Sequence, residues 1–322
     1  MFESVTIENF RGIEKLEVPL SPLTVLVGPN GVGKSSILDA ISLGGSTFHE
    51  SVATLVANRR QGLADAASWV IRYAQAAATV GLRQRDTIVR ISLGRNPNYL
   101  HATRGADPNG RWEARCEIAV GSPYNVVSSS GVGPVPVTFV DSARPYEPRD
   151  TSLKITDIQR RGLKSELEGS LKKLDSRVRG IVMDATSAGS AEPAVDLEGI
   201  GSRPLAIAGD GIRFMTQLVV GLLQSQGGTA LLEEPETHLH PSGIRALADA
   251  IVSRIGAGDQ VVLSTHSLEL VERLRGRVGE GGPPVEHMSV VRLYREGSAL
   301  RTREIKGDQI GFVLDEMGED LR

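Results

Sequence analysis

Apolar and polar positions follow regular patterns at the two ends of the chain and lose that regularity in the middle. Residues 2–10 set Val5 and Ile7 between polar residues, the period of a half-buried strand. Leu23-Thr-Val-Leu-Val27 is a short apolar run, as expected of a buried strand. Ile37, Leu38, Ala40 and Ile41 then recur at helical spacing, so the first forty residues predict a β–loop–α unit. Order returns after Pro204. A loop enters a helix over 209–223, and a buried strand spans 229–232. A helix over 244–255 and an apolar strand over 260–264 follow. A hairpin pairs 289–294 with 300–305 through Glu296-Gly-Ser298, and a last helix covers 309–317.

The middle is less regular. Residues 49–77 are Ala-rich and predict a helix, while 87–93 and 115–120 alternate as half-buried strands do. Residues 122–136 are rich in Gly, Ser and Pro and read as a long loop, and a strand over 135–140 ends at Asp141. Leu163, Leu167, Leu171, Leu174, Val178 and Ile181, with Lys and Arg between them, predict one helix reaching Met183. The organisation expected is a core split between residues 1–45 and 200–322. Residues 46–199 are an insertion of strands and helices, mostly helical and without a long coiled coil.

Composition narrows the class. A hydrophobic content of 40% is ample for a buried core, and 322 residues allow one large domain or two small ones. The net charge of −3 argues against a broad polyanion-binding face and leaves room for a local basic patch. The single cysteine, Cys116, excludes an internal disulfide and suits a reducing compartment. The start, Met-Phe-Glu-Ser-Val-Thr, lacks a signal-peptide pattern, and no apolar run reaches the ~18 residues of a membrane span. The expected location is the cytoplasm.

Three stretches carry chemistry. Gly28-Pro-Asn-Gly-Val-Gly-Lys-Ser35 fits the P-loop pattern and lies between a strand and a helix. Pro29, Asn30, Gly31, Val32, Gly33 and Ser36 would present the loop backbone to phosphates, Lys34 would reach the β- and γ-phosphates of ATP, and Ser35 would ligate Mg²⁺. Thr229-Ala-Leu-Leu-Glu-Glu-Pro-Glu236 places carboxylates directly after a buried strand. Glu233 is the expected Mg²⁺ residue and Glu234 the general base. Glu236, His238 and His240 could suggest a metal cluster, but Pro235 and Pro241 bracket the turn and Cys ligands are lacking, so a turn lining an interface is favoured. His266, two residues past the strand over 260–264, could donate to a γ-phosphate oxygen or hold the attacking water. Leu205-Ala-Ile-Ala-Gly-Asp-Gly-Ile-Arg213 is a second glycine-rich helix start; Gly209 and Gly211 would press on the γ-phosphate of a partner subunit.

Together these motifs resemble the ABC-type ATPases that include SMC, RecF and the OLD (overcoming-lysogenisation-defect) proteins. The resemblance is nearest to stand-alone OLD-like ATPases of bacterial defence systems. It rests on Val5-Thr-Ile-Glu-Asn-Phe-Arg-Gly12, the P-loop, Glu233-Glu-Pro-Glu-Thr-His-Leu-His-Pro241 and Gly209-Asp-Gly-Ile-Arg213, and leaves the middle of the chain unsupported. It implies an α/β ABC-type head: a P-loop core, an antiparallel N-terminal sheet and an inserted, mostly helical subdomain. It also implies Lys34 and Ser35 as Walker A, Glu233 and Glu234 as Walker B and catalytic glutamate, His266 as switch histidine, and residues 206–211 as signature loop. Family heads hold ATP head to tail, so a homodimer or larger homo-oligomer is implied. Three departures stand out: Walker B ends in Glu-Glu rather than Asp-Glu, Ala206 or Ala208 replaces the signature serine, and no Q-loop glutamine is found, Asp141-Ser-Ala-Arg144 being the nearest substitute.

The function expected is an ATPase subunit, slow and regulatory, whose nucleotide-dependent assembly controls a separate effector (a nuclease or toxin) in anti-phage or mobile-element defence. The alternative is a RecF-like DNA-repair ATPase, with Lys164, Lys172, Lys173, Arg177 and Arg179 as phosphate contacts. A transporter-associated subunit is disfavoured by the missing Q-loop and altered signature.

Overall fold

In the computed structural model, the described residues are 1–45, 52, 69–95, 99–107, 111–119, 126–130, 136–142, 146–185, 191–279 and 281–316. A six-stranded sheet forms the core, in the order β16-β15-β3-β14-β13-β9. Its members are β3 (Leu23–Val27), β9 (Val137–Asp141), β13 (Thr229–Glu233), β14 (Gln260–Ser264), β15 (Met288–Glu296) and β16 (Ala299–Lys306). All neighbours are parallel except the β15–β16 hairpin. Parallel strands must be covered on both faces, and β3 and β14 are buried at every position.

Alternation along these strands divides the core in two. Leu23, Val25, Ala230, Leu232, Val261, Leu263 and Val290 face one cluster, which collects the helices α2 (Pro148–Arg160), α3 (Lys164–Leu174), α4 (Asp210–Gln224), α5 (Pro241–Gly256) and α6 (Leu268–Arg275). Leu26, Leu231, Val262 and Val291 face the other, where α1 (Lys34–Ser42) contributes Ile37, Leu38, Ala40 and Ile41. Across α1 lies a seven-stranded antiparallel sheet, ordered β2-β1-β4-β5-β6-β7-β8. It comprises β1 (Ser4–Phe10), β2 (Ile13–Pro19), β4 (Ala77–Gln84), β5 (Thr87–Arg95), β6 (Tyr99–Asp107), β7 (Arg111–Ala119) and β8 (Val126–Ser130). A third sheet joins β10 (Val178–Ala185), β11 (Ala191–Leu197) and β12 (Gly201–Pro204).

The P-loop α/β core and the antiparallel N-terminal sheet are as expected, while the insertion contributes more strand than helix among the described residues. Residues 46–199 supply β4 to β8 to the antiparallel sheet and β9 to the core sheet. The helix expected over 163–183 ends at Leu174, because Asp175 turns to φ −140° and its carboxylate takes the Arg177 backbone N–H and guanidinium. Val178 and Ile181 are buried from a strand, β10, rather than from that helix. Within the expected loop over 122–136, Val126–Ser130 pairs with β7; residues 121–125 and 131–135 lie outside the described residues. Most of the expected helix over 49–77 also lies outside them; Val52 is helical, whereas residues 70–77 are not. There Val70 and Arg72 bond in extended fashion to Arg11 and Asn9. The last helix is short, Gly307–Gly311, followed by a wide turn over Phe312–Glu316.

Two sites tie the layers together. The buried Gln260 side chain accepts from the Phe2 N–H and the Thr229 hydroxyl, and donates to the Phe2 and Ser21 carbonyls. Gly221 lets α4 lie against β9, where an added Cβ would come within 2.1 Å of the Val140 side chain. We expect Gln260→Leu to destabilise the protein by about 2–4 kcal/mol in a denaturant titration, since it orphans several buried polar groups at once. A change within about 0.5 kcal/mol would show that these bonds do not hold the N-terminal strand to the core.

Candidate nucleotide-binding site

The site forms where β3, β13 and β14 end together. Parallel register sets Glu233 opposite Ser264 and Ser264 opposite Leu26, so the segments that follow each strand emerge side by side. Such a row of carboxyl strand ends is the usual ligand crevice of an open parallel sheet. After β3 the P-loop turns back on itself through Gly28, Gly31 and Gly33, at φ 139°, 71° and 125°. Gly28 has a second reason to be glycine: a Cβ there would stand 2.4 Å from the Leu293 carbonyl oxygen. Gly33 caps α1, whose unbonded N–H groups and dipole favour an anion at that end. A buried ion pair between Arg11 and Asp39 ties the β1–β2 turn to the same helix.

The side chains of Lys34, Ser35, Glu233, Glu234 and His266 converge on this crevice. Lys34 is buried and donates to the Gly28 carbonyl at 2.7 Å and the Pro29 carbonyl at 3.1 Å; its Nζ lies 2.8 Å from His266 Nε2. Burial lowers the pKa of this ammonium, a pull opposed by the carboxylates of Glu234, Glu233 and Glu236. The Ser35 hydroxyl donates to Glu233. Glu234 Oε1 lies 3.4 Å from His266 Nε2. Glu234 sits at φ 44°, uncommon for a residue with a Cβ, and its N–H donates to the Ser264 carbonyl at 2.9 Å. Two contact sets, Lys34–His266–Glu234 and Ser35–Glu233, therefore meet in one crevice, drawn from three distant parts of the chain. Of the remaining loop positions, Pro29, Asn30, Gly31, Val32 and Gly33 make the turn itself, and Ser36 lies in the first turn of α1.

Other predicted positions take no part in these side-chain contacts. Gly209 caps α4 and Gly211 lies in its first turn, and the bonds of the loop stay local: Arg213 reaches the Ala206 carbonyl and Asp210, and Ile207 and Ala208 donate to the Pro204 carbonyl. Ile207 is 74% exposed, so this loop presents an apolar side chain outward. Asp141 ends β9 opposite Glu233, and Ser142 donates to the Glu233 carbonyl at 3.4 Å; Arg144 lies outside the described residues. Glu236, His238 and His240 form no metal cluster: no group of three or more His, Cys, Asp or Glu that could hold a metal ion is found among the described residues. His238 instead meets the Phe214 ring edge-on, and His240 caps α5. Inspection of the sequence missed the partners of Glu236, which are Thr265 and His266.

The basic positions of the insertion are largely spoken for. Lys164 pairs with Glu168, Lys173 with Asp249, Arg177 with Asp175 and Arg179 with Glu198. Burial pushes the Cys116 thiol up to about 11, which removes it as a nucleophile at neutral pH. Among the described residues no helix is long and apolar enough to cross a membrane.

Known proteins share these features. Residues 1–51 match an AAA ATPase domain model, and residues 141–272 match the AAA domain model that names the AbiEii toxin and Type IV TA systems. A 43-residue stretch is 51% identical to an OLD nuclease of Thermus scotoductus, 13% of this chain and 8% of that protein. Over 125 residues the chain is 30% identical to the daunorubicin resistance ATP-binding protein DrrA3 of Streptomyces coeruleorubidus, 38% of this chain and 37% of that one. The chain thus spans only a minor part of the curated relatives it matches. In fold it is similar to an SMC head bound to the C-terminal winged-helix domain of ScpA, at TM-score 0.63 and 14% identity over 95% and 97% of the two chains. An SMC head with an extended coiled coil, bound to a ScpA domain derived from Pyrococcus furiosus, gives TM-score 0.60 and 13% identity over 99% of each. The two matched segments are thus similar to P-loop ATPase domains of the AAA type, and the fold is similar to that of an SMC head.

The geometry at Gly28 yields a direct test. Gly28→Ala combines a strained φ with a collision against a backbone carbonyl, worth about 1–3 kcal/mol if the loop is to keep its shape. We expect ATP affinity to fall about tenfold or more in a fluorescent-nucleotide titration, with the melting curve still cooperative. Unchanged affinity would mean that the loop shape at Gly28 does not matter to binding.

Proposed function

We propose that the chain binds ATP with Mg²⁺ at the P-loop, hydrolyses it slowly, and uses the nucleotide to join its head to that of a second copy. The observation that carries this reading is the pairing of two contact sets at the P-loop, Lys34–His266–Glu234 and Ser35–Glu233. Ser35 and Glu233 are hard oxygen donors already in contact, the kind of pair that suits Mg²⁺, and they are the residues that would hold it. When bound, the ion would neutralise charge on the β- and γ-phosphate oxygens. Lys34, held on the carbonyls of its own loop, exchanges them for phosphate oxygens and recovers the solvation that burial denies it. Glu234 takes a proton from the attacking water, and His266 steadies that water or the γ-phosphate.

The partner-controlling role extends this reading. Assembly would bring residues 206–211 of one head, with Gly209 and Gly211, over the nucleotide of the other. Ala206 and Ala208 offer no hydroxyl there, so backbone N–H groups and the start of α4 supply the contact. Control of an effector in defence against phage or mobile elements draws support from the match to the model naming the AbiEii toxin and from the OLD nuclease stretch. The SMC heads that share the fold are seen bound to a protein partner, ScpA. The expected setting is the cytoplasm.

Replacing Glu234 by Gln separates binding from hydrolysis. We expect turnover to fall about 100-fold or more, while ATP affinity stays within about threefold and ATP shifts the chain toward dimers in sedimentation. Hydrolysis at the wild-type rate would rule out Glu234 as the base.

A further inference from the structure

His266 depends on its backbone for its position. Its ring touches Lys34 and Glu234, and Lys34 is the group expected to move when phosphate arrives. What holds the backbone is Glu236. Its Oε1 accepts the Thr265 hydroxyl at 2.6 Å and the His266 N–H at 3.2 Å. The same hydroxyl oxygen of Thr265 accepts the Ser267 N–H at 2.9 Å, and the Ser267 hydroxyl caps α6 at Leu270. The Thr265 N–H is fixed to the Leu26 carbonyl at 3.1 Å, at the end of β3. Residues 265–267 are thus bonded on three sides, and Glu236 supplies the one side that comes from the Glu234 turn.

The second oxygen of Glu236, Oε2, is buried with no hydrogen-bond partner among the described residues. Burying half a carboxylate bare is unfavourable, so the residue is a poor choice for stability alone. A carboxylate oxygen accepts two bonds at once without presenting a donor, which a hydroxyl cannot do. Thr237 and Leu239 N–H groups bond back to the Glu234 and Glu236 carbonyls, which makes the turn carrying Glu236 stiff.

We propose that Glu236 is a positioning residue: it clamps residues 265–267 to the turn that carries Glu234, so His266 keeps its place as Lys34 moves to phosphate. This rests on the ATPase reading above. The bonds of Glu236 run to Thr265 and to the backbone of His266, so it acts through the segment that carries His266.

The test is a double-mutant cycle on the full chain, read by steady-state ATP hydrolysis. Glu236→Ala is expected to lower kcat about 30-fold or more with KM within about threefold, since a displaced group close to the chemistry can cost two orders of magnitude. Glu236→Gln, whose amide oxygen can accept the same two bonds, is expected to keep most of the activity. In a His266→Ala background, Glu236→Ala is expected to cost little more. A wild-type kcat for Glu236→Ala, or an equal loss with and without His266, would overturn the proposal. Hydrogen exchange of the nucleotide-free protein gives a readout that needs no turnover: Glu236→Ala is expected to speed exchange at residues 265–267 while α5 stays protected. Unchanged exchange there would also overturn the clamp. A wild-type chain without ATPase activity would sink the proposed function instead and leave the exchange result to decide on Glu236. If Glu236→Ala does not fold, Thr265→Val removes only the hydroxyl and is subject to the same two readouts.

Discussion

The in-register parallel pairing of β3, β14 and β13 is the constraint on which the rest depends. Because the three strands are level, the turns after Val27, Glu233 and Ser264 emerge at one edge of the sheet. A slip of one residue along any of them would turn its apolar side chains to the wrong layer and move its polar end off the site. Burial on both faces makes that slip costly: Leu231 and Val262 face α1, whereas Ala230, Leu232, Val261 and Leu263 face the outer helices. The hydrophobic effect that builds the core thereby also sets the spacing of the polar groups.

Those polar groups are arranged at some cost. Lys34 is taken out of water, Glu234 is held at a strained φ, and Glu236 keeps one buried oxygen bare. The charges answer one another: ammonium on carbonyls and imidazole, hydroxyl on carboxylate. This pattern is what a site looks like when a polyanion and a cation are to replace internal contacts on binding. The free energy stored in such contacts is recovered only when a ligand satisfies both signs of charge together.

Much of this was legible in the sequence because the signals were local. The P-loop needs particular glycines between a strand and a helix, and β13 and β14 are short apolar runs closed by a polar residue, so Lys34, Glu233, Glu234 and His266 could be named from pattern alone. The middle of the chain misled for a physical reason as well. Val178 and Ile181 continue the helical spacing of Leu167 and Leu171, yet Asp175 breaks the helix by bonding to the backbone and side chain of Arg177. The role of Glu236 was hidden because it depends on Thr265, whose partner lies 29 positions away and is set by the sheet rather than by spacing. Cys116 and the Gly221–Val140 contact were equally silent, since burial and close approach are properties of the folded chain.

The central claim is that the group around Lys34 holds the triphosphate of ATP. Calorimetric titration of the wild-type chain and of Lys34→Ala with ATP and Mg²⁺ tests it most directly. A saturable heat with one site per chain in the wild type, and affinity weakened about tenfold or more in the variant, is the result the account predicts, given about 1.5–3 kcal/mol for a hydrogen bond to a charged group. Equal affinity in the two proteins would contradict it.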